Sequence, residues 1–242
     1  MAVTNNDLSI FTNKNENGIK LSDRLNTVLT NSKYFDVLVG YFRITGFYLL
    51  KEQLEDVKEI RILIGLGADI ETVRAMDIFE LSGANATRKV QKVITEEFNN
   101  TEDDNLEMEN GVFKFCEWIK SGKLKIRMCY EKNVHAKLYI VRKDPDKVPD
   151  QFGNLITGSS NFTFNGLDKN VEFNVELKNQ SDVQYGLDFF EELWKDSKDI
   201  TEDILATINN DTWMNKNITP YELFLKLLFV YFEEEIDTRK ND

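Results

Sequence analysis

Histidine occurs once in these 242 residues, cysteine twice and proline three times. Each scarcity excludes something. With prolines only at 145, 149 and 220, no proline-rich linker divides the chain. Cys116 and Cys129 sit in apolar runs without metal-ligand spacing, so they read as reduced core residues and set the expectation of a cytoplasmic protein. The longest apolar run, 223–232, is interrupted by Lys226 and falls far short of the roughly 20 residues that span a bilayer. The start, Met1-Ala2-Val3-Thr4-Asn5-Asn6-Asp7, has neither the basic segment nor the apolar centre of a secretory signal. No membrane partner is expected. No clustered set of Asp, His or Cys ligands stands out, so neither a metal nor another cofactor is expected.

What is present is ordinary for a globular chain: 41% hydrophobic and 30% charged residues. The net charge of −12 argues against a protein whose whole surface grips nucleic acid. Its distribution is uneven. Between Lys120 and Lys147 nine basic residues face three acidic ones, whereas the stretch from Glu96 to Glu109 holds seven acids and no base and reads as a solvated loop.

Hydrophobic patterning predicts strands over 35–42 and 60–67 with a helix over 46–57 between them, a βαβ unit. Helices are expected over 70–98 and 111–120, strands over 124–128, 134–141, 154–157 and 171–177, and an amphipathic helix over 182–194. The expected fold class is therefore α/β, a mixed, largely parallel sheet flanked by helices, with a small helical C-terminal extension. Residues 1–198 would form the domain and 199–242 the extension or a link to following chain. Within that extension, Thr219-Pro220-Tyr221-Glu222 is a well-formed helix start. The helix expected over 223–236 is apolar on nearly every face, as a buried or docking helix would be.

The single histidine lies in Asn133-Val134-His135-Ala136-Lys137-Leu138. On a strand, residues two apart share a face, so His135 and Lys137 would project together. After a polar loop the chain reads Thr157-Gly158-Ser159-Ser160-Asn161-Phe162-Thr163, a strand end rich in hydroxyl, amide and backbone donors suited to phosphate oxygens. Further on, Asn170-Val171-Glu172-Phe173 places a carboxylate in an apolar strand, where a charge requires a partner. Tyr41 and Arg43 lie just past the first strand, where α/β sheets present ligands. Taken singly, each element is also compatible with a structural histidine, an ordinary polar turn, a core tyrosine and a surface arginine.

In combination they resemble the phospholipase D superfamily, whose signature is H-x-K, then G-S-x-N, then a downstream glutamate. Here these are His135-Ala136-Lys137, Gly158-Ser159-Ser160-Asn161 and Glu172. The likeness covers about residues 25–195. One position departs: the family usually has an aspartate five residues after the lysine, and this chain has Arg142. The segments Gly40-Tyr41-Phe42-Arg43-Ile44-Thr45-Gly46 and Ile218-Thr219-Pro220-Tyr221-Glu222-Leu223 are similar to the N-terminal phospholipase-D-like domain of bacterial superfamily-2 (SNF2-like) helicases. The resemblance implies a metal-independent phosphodiesterase or endonuclease acting on nucleic acid, DNA above RNA, with a helicase region C-terminal to this chain as a further partner. Its chemistry uses two histidines, a nucleophile and a proton donor. A chain with one implies a homodimer with sites facing across a two-fold axis. The roles implied are His135 as nucleophile, Lys137 and Asn161 on the non-bridging oxygens, Ser159 as an additional donor, and Glu172 orienting the imidazole. Ser160, Tyr41 and Arg43 would bind substrate. Two other classes stay open: a non-catalytic nucleic-acid-binding or dimerisation domain, and a phospholipid-cleaving enzyme.

Overall fold

The computed structural model describes residues 9–14, 18–65, 91, 95, 106–130 and 134–211. The elements in order are β1 (Ile10–Thr12), α1 (Leu21–Leu29), β2 (Ser32–Val39), α2 (Ile44–Tyr48), α3 (Lys51–Leu54), β3 (Glu59–Gly65), α4 (Leu106–Lys120), β4 (Leu124–Cys129), β5 (Leu138–Lys143), β6 (Gly153–Gly158), a single π-helical turn (Asn165–Lys169), β7 (Phe173–Leu177), α5 (Gln180–Lys195), β8 (Lys198–Asp199) and α6 (Thr201–Asp211). Of the helix expected over 70–98 only residues 91 and 95 are described, both helical; the helix expected over 223–236 and the capped start at 219–222 lie outside the described residues.

The strands form one mixed sheet in the order β1-β7-β6-β5-β2-β3-β4-β8. The expected βαβ unit is present: β2 and β3 pair in parallel, Val37 opposite Ile62, with α2 and α3 between them. The expectation of a largely parallel sheet is corrected, because only β2–β3 and β3–β4 are parallel and the other five pairings are antiparallel. The nine residues between β5 and β6 are too few for a crossover connection, and the fourteen between β6 and β7 hold a single π-helical turn rather than a crossover helix.

Alternation along the strands feeds two layers. Phe35, Val37, Val39, Ile60, Ile62, Ile64, Tyr139, Val141 and Ile156 enter a large core covered by α1 to α4 and α6. Leu38, Leu63, Ile140 and Leu155 face the other way, under Val183, Phe190 and Leu193 of α5. Asn179 caps α5, its side-chain oxygen accepting from the Ser181 N–H at 3.2 Å. Beyond α5, β8 pairs with β4, and Ile200, Ile204, Leu205 and Ile208 are buried in the large core. The division expected after 198 thus cuts through β8, and the chain to 211 shares the core of what precedes it.

Two buried charge clusters tie helices to the sheet. On the α1 side, the Arg24 guanidinium meets the Glu176 carboxylate, both shielded from water, and Asn154 Nδ2 donates to Glu176 Oε1 at 2.6 Å. On the α5 side, Asp36, 1% exposed, accepts from Arg61 Nε at 2.6 Å and Arg142 Nη2 at 3.0 Å, while Arg61 Nη2 reaches Glu191 of α5 at 2.7 Å. A buried carboxylate without such partners carries a desolvation penalty of several kcal/mol.

Candidate active site

The antiparallel arrangement brings four chain ends to one end of the sheet. The register aligns Leu38 of β2 with Leu138 of β5, Leu138 with Thr157 of β6, and Thr157 with Val175 of β7. The residues after β2 and β6 and those before β5 and β7 therefore meet at that end. All the motif residues named above lie on these four segments.

His135 is exposed and lies in an extended segment before β5, not within a strand as expected. Val134 crosses the end of β3, where a Cβ on Gly65 would meet the Val134 carbonyl oxygen at 2.4 Å, and by Leu138 the chain has joined β5 beside β2. The segment thus passes over the end of β2 with His135 in solvent. Lys137 folds back and its Nζ donates to the His135 carbonyl oxygen at 3.0 Å.

On the neighbouring segment, Asn161 Oδ1 accepts from the Tyr41 N–H at 3.2 Å, and the Arg43 N–H donates to the Phe162 carbonyl at 2.9 Å. Phe42 bridges Phe162, with their rings stacked at 5.6 Å. The close approach needs Gly46, since a Cβ there would lie 2.9 Å from the Phe162 backbone. The loop after β2 and the loop after β6 are thereby locked together.

Glu172 is half-buried and lies one residue before β7 rather than inside it. Its carboxylate accepts from the Ser159 hydroxyl, whose oxygen accepts in turn from the Phe173 N–H at 3.2 Å. A serine has a single O–H to donate. Ser159 spends it on Glu172, so within one chain Glu172 is held by Ser159 and forms no bond to His135. The strand's buried carboxylate is Glu176, whose partner is Arg24. Ser160, expected to bind substrate, instead points inward: it is fully buried, Asn174 Nδ2 donates to its hydroxyl at 3.0 Å, and the Tyr139 hydroxyl donates to its carbonyl at 2.9 Å. Burial first, and the nearby Glu172 charge second, hold the Tyr139 hydroxyl well above the ordinary tyrosine range, so it stays a neutral donor beneath the site.

Three residues at this end of the sheet were missed in the sequence. Asn13, just past β1, receives the Glu172 N–H on its Oδ1 at 3.0 Å and donates Nδ2 to the Asn170 carbonyl at 2.7 Å, fixing the approach to Glu172. No local signal marks an asparagine 159 residues distant. Phe164 and Lys169, in and before the π-helical turn, line a cleft of about 1050 Å³ together with Tyr41, Arg43, Asn161 and Glu172. The run from Phe162 to Lys169, dense in aromatic and amide residues, is the signal that was available.

Arg142, the departure from the family pattern, lies at the far end of β5 from His135, opposite Tyr34 and Gly153. It pairs with Asp36 and its guanidinium lies 4.3 Å from the Tyr34 ring centroid, so it serves the sheet rather than the site. Among the described residues, no group of three or more His, Cys, Asp or Glu side chains is arranged to hold a metal ion, and no helix is long and apolar enough to cross a membrane.

The family described as cardiolipin synthase, PLD-like domain, matches residues 29–194. No curated protein matches the sequence. Among solved structures, the chain is similar to the phospholipase D family member Nuc from Salmonella typhimurium, with 16% identity, 78% of this chain and 95% of that chain covered, and a TM-score of 0.41. It is similar to NucT from Helicobacter pylori at 10% identity, covering 79% and 97%, with a TM-score of 0.42. It is also similar to the phosphatidylserine synthase of Haemophilus influenzae Rd KW20 at 15% identity, covering 94% of this chain and 46% of that one, with a TM-score of 0.49.

Proposed function

This chain belongs to the phospholipase-D-like (PLD-like) domain family, and we propose that it hydrolyses nucleic-acid phosphodiesters, DNA above RNA, without a metal, through a phosphohistidine at a site completed by a second copy. The observation that carries the reading is the convergence of His135, Lys137, Asn161 and the Ser159–Glu172 pair at one end of the sheet, beside a cleft that Asn161 and Glu172 line. The cleft lining favours nucleic acid over phospholipid. Among the described residues its only aliphatic side chain is Leu49, against three aromatic rings, three cations, two carboxylates and several amides, a lining poor in apolar surface for acyl chains.

In the mechanism proposed, His135 of one copy attacks phosphorus as the neutral imidazole, and the phosphorus–oxygen bond to the leaving group breaks. The imidazolium of the other copy gives its proton to the departing oxygen. The same ring, now neutral, takes a proton from water, whose oxygen attacks phosphorus and breaks the phosphorus–nitrogen bond. Lys137 and Asn161 stabilise the charge on the non-bridging oxygens. Glu172, fixed by Ser159 and Asn13, bonds to no histidine within its own chain, so any imidazole it orients belongs to the second copy. The residues flanking Glu172 suit such a contact: Val171 and Phe173 are 68% and 55% exposed, apolar surface that a second copy would cover. The helicase-associated setting is part of the same proposal and rests on the sequence likeness of residues 40–46 and 218–223. So does the treatment of chain beyond 211 as a link.

The test is cleavage of labelled DNA in excess EDTA by the wild type and by His135→Ala. Cutting should persist in EDTA for the wild type and vanish for the variant. Strict dependence on added Mg²⁺, or undiminished cutting by the variant, contradicts the reading.

A further inference from the structure

We propose that the cleft beside Asn161 and Glu172 is a single-strand track, which holds unpaired nucleotides next to the scissile phosphate on two aromatic–cation pairs. The inference rests on the phosphodiester reading of this site and adds to it the form of the substrate.

The two loops that meet at the Phe42–Phe162 bridge each bring one such pair to the cleft. On the first, the Arg43 guanidinium lies 5.3 Å from the Tyr41 ring centroid and its Nε donates to the Tyr41 hydroxyl at 2.9 Å. On the second, Lys169 Nζ lies 4.9 Å from the Phe164 ring centroid. Lys51 of α3 lines the same space. Among the described residues, none of these three cations is paired with a carboxylate, whereas Lys20, Lys33, Arg61, Lys114, Lys125 and Arg142 all are. The same lining carries two carboxylates, Glu52 and Glu172, so the three cations leave the cleft one positive charge in excess within a chain of net charge −12, a local excess available to a polyanion. Aromatic rings half-buried beside these cations supply the other half of the recognition: stacking platforms for bases, which tolerate any sequence because every base has a π-face.

This chemistry selects single strands. In a duplex the base faces are stacked inside, and reaching a ring in a cleft requires flipping the nucleotide out at a cost of a few kcal/mol. An unpaired strand meets the rings directly, with its phosphates beside Arg43, Lys51 and Lys169. Asn161 and Glu172, assigned above to the phosphodiester site, line the cleft, while His135 and Lys137 lie outside its lining, so the nucleotides held here would be those flanking the cut.

The experiment is fluorescence anisotropy of a short labelled oligothymidylate and a duplex of equal length, in EDTA, with the full chain carrying His135→Ala so that no substrate is consumed. The single strand should bind at least tenfold more tightly than the duplex. Adding Phe164→Ala should weaken single-strand binding by roughly tenfold, the range of one base–aromatic stack. Lys169→Glu, at an exposed position where folding is not at stake, should weaken it further. It should also reduce the slope of log affinity on log salt by about 0.7 for each phosphate no longer neutralised. Duplex bound as tightly as single strand, or both variants binding like their parent, overturns the inference. So does displacement of the oligonucleotide by phosphatidylglycerol vesicles. Tight single-strand binding by a protein that never cuts leaves the track standing and removes the phosphodiesterase reading. Cutting with a preference for duplex does the reverse.

Discussion

At the residue scale, the motif positions were legible in the sequence and their partners were not. His135, Lys137, Ser159, Asn161 and Glu172 stand out because their residue types are chemically unusual at strand ends. What each side chain touches depends on residues far along the chain, such as Asn13 on Glu172 and Tyr139 beneath Ser160. Ser160 shows the difference: adjacent to Ser159 and alike in type, it faces the core because neighbours at a strand end point to opposite sides. Ser159 donates to the Glu172 carboxylate, and the proposed reading, in which it acts through that carboxylate, has a measurable signature. A hydrogen bond to a charged group contributes about 1.5–3 kcal/mol, so Ser159→Ala should lower kcat by roughly 10- to 100-fold with KM nearly unchanged. Its effect should also shrink in a Glu172→Gln background, because the two residues act as one unit. A rise in KM alone, or full additivity in the double variant, would show that Ser159 contacts substrate instead.

At the element scale, the alternation of apolar residues located the central strands to within a few residues, and the β2–β3 unit was read with its parallel sense. The sense of β5, β6 and β7 was misread because patterning reports which faces are buried, not which way a neighbour runs. Connection length carries that information, and the residues between these strands hold one π-helical turn but no crossover helix. β1 and α1 escaped notice because a three-residue strand has no period to detect. Its place depends on pairing with β7, Ile10 opposite Val175. In the proposed mechanism the nucleophile is positioned by the passage of residues 134–137 over the sheet end, where Gly65 allows the close approach of Val134. In Gly65→Ala the new methyl would meet the Val134 oxygen at 2.4 Å, and Gly65 is paired with Cys129 in the ladder and cannot easily yield. The segment carrying His135 must then shift. Cleavage should drop by more than tenfold, since a displacement of about 1 Å can cost 100-fold in rate, while urea unfolding stays cooperative. Unchanged cleavage would show that the position of this segment is not what the site depends on.

At the scale of the whole molecule, the chemistry turns on number. In the proposed mechanism the single histidine of these 242 residues cannot be nucleophile and leaving-group acid at once, so the second imidazole is assigned to a second copy. The exposed Val171 and Phe173 flanking Glu172 would give that copy a surface to meet. Arg142 does not weaken this: the residue that departs from the family motif is engaged with Asp36 at the other end of β5. The most direct measurement is a mixing titration. Wild-type protein at fixed concentration is equilibrated with increasing His135→Ala protein, and cleavage is followed in EDTA. If each active unit draws one histidine from each of two copies, mixed dimers carry a single histidine and are dead. Activity per wild-type chain should then fall in proportion to the wild-type fraction, approaching zero in excess variant. Activity per wild-type chain that stays constant throughout the titration would contradict the shared site.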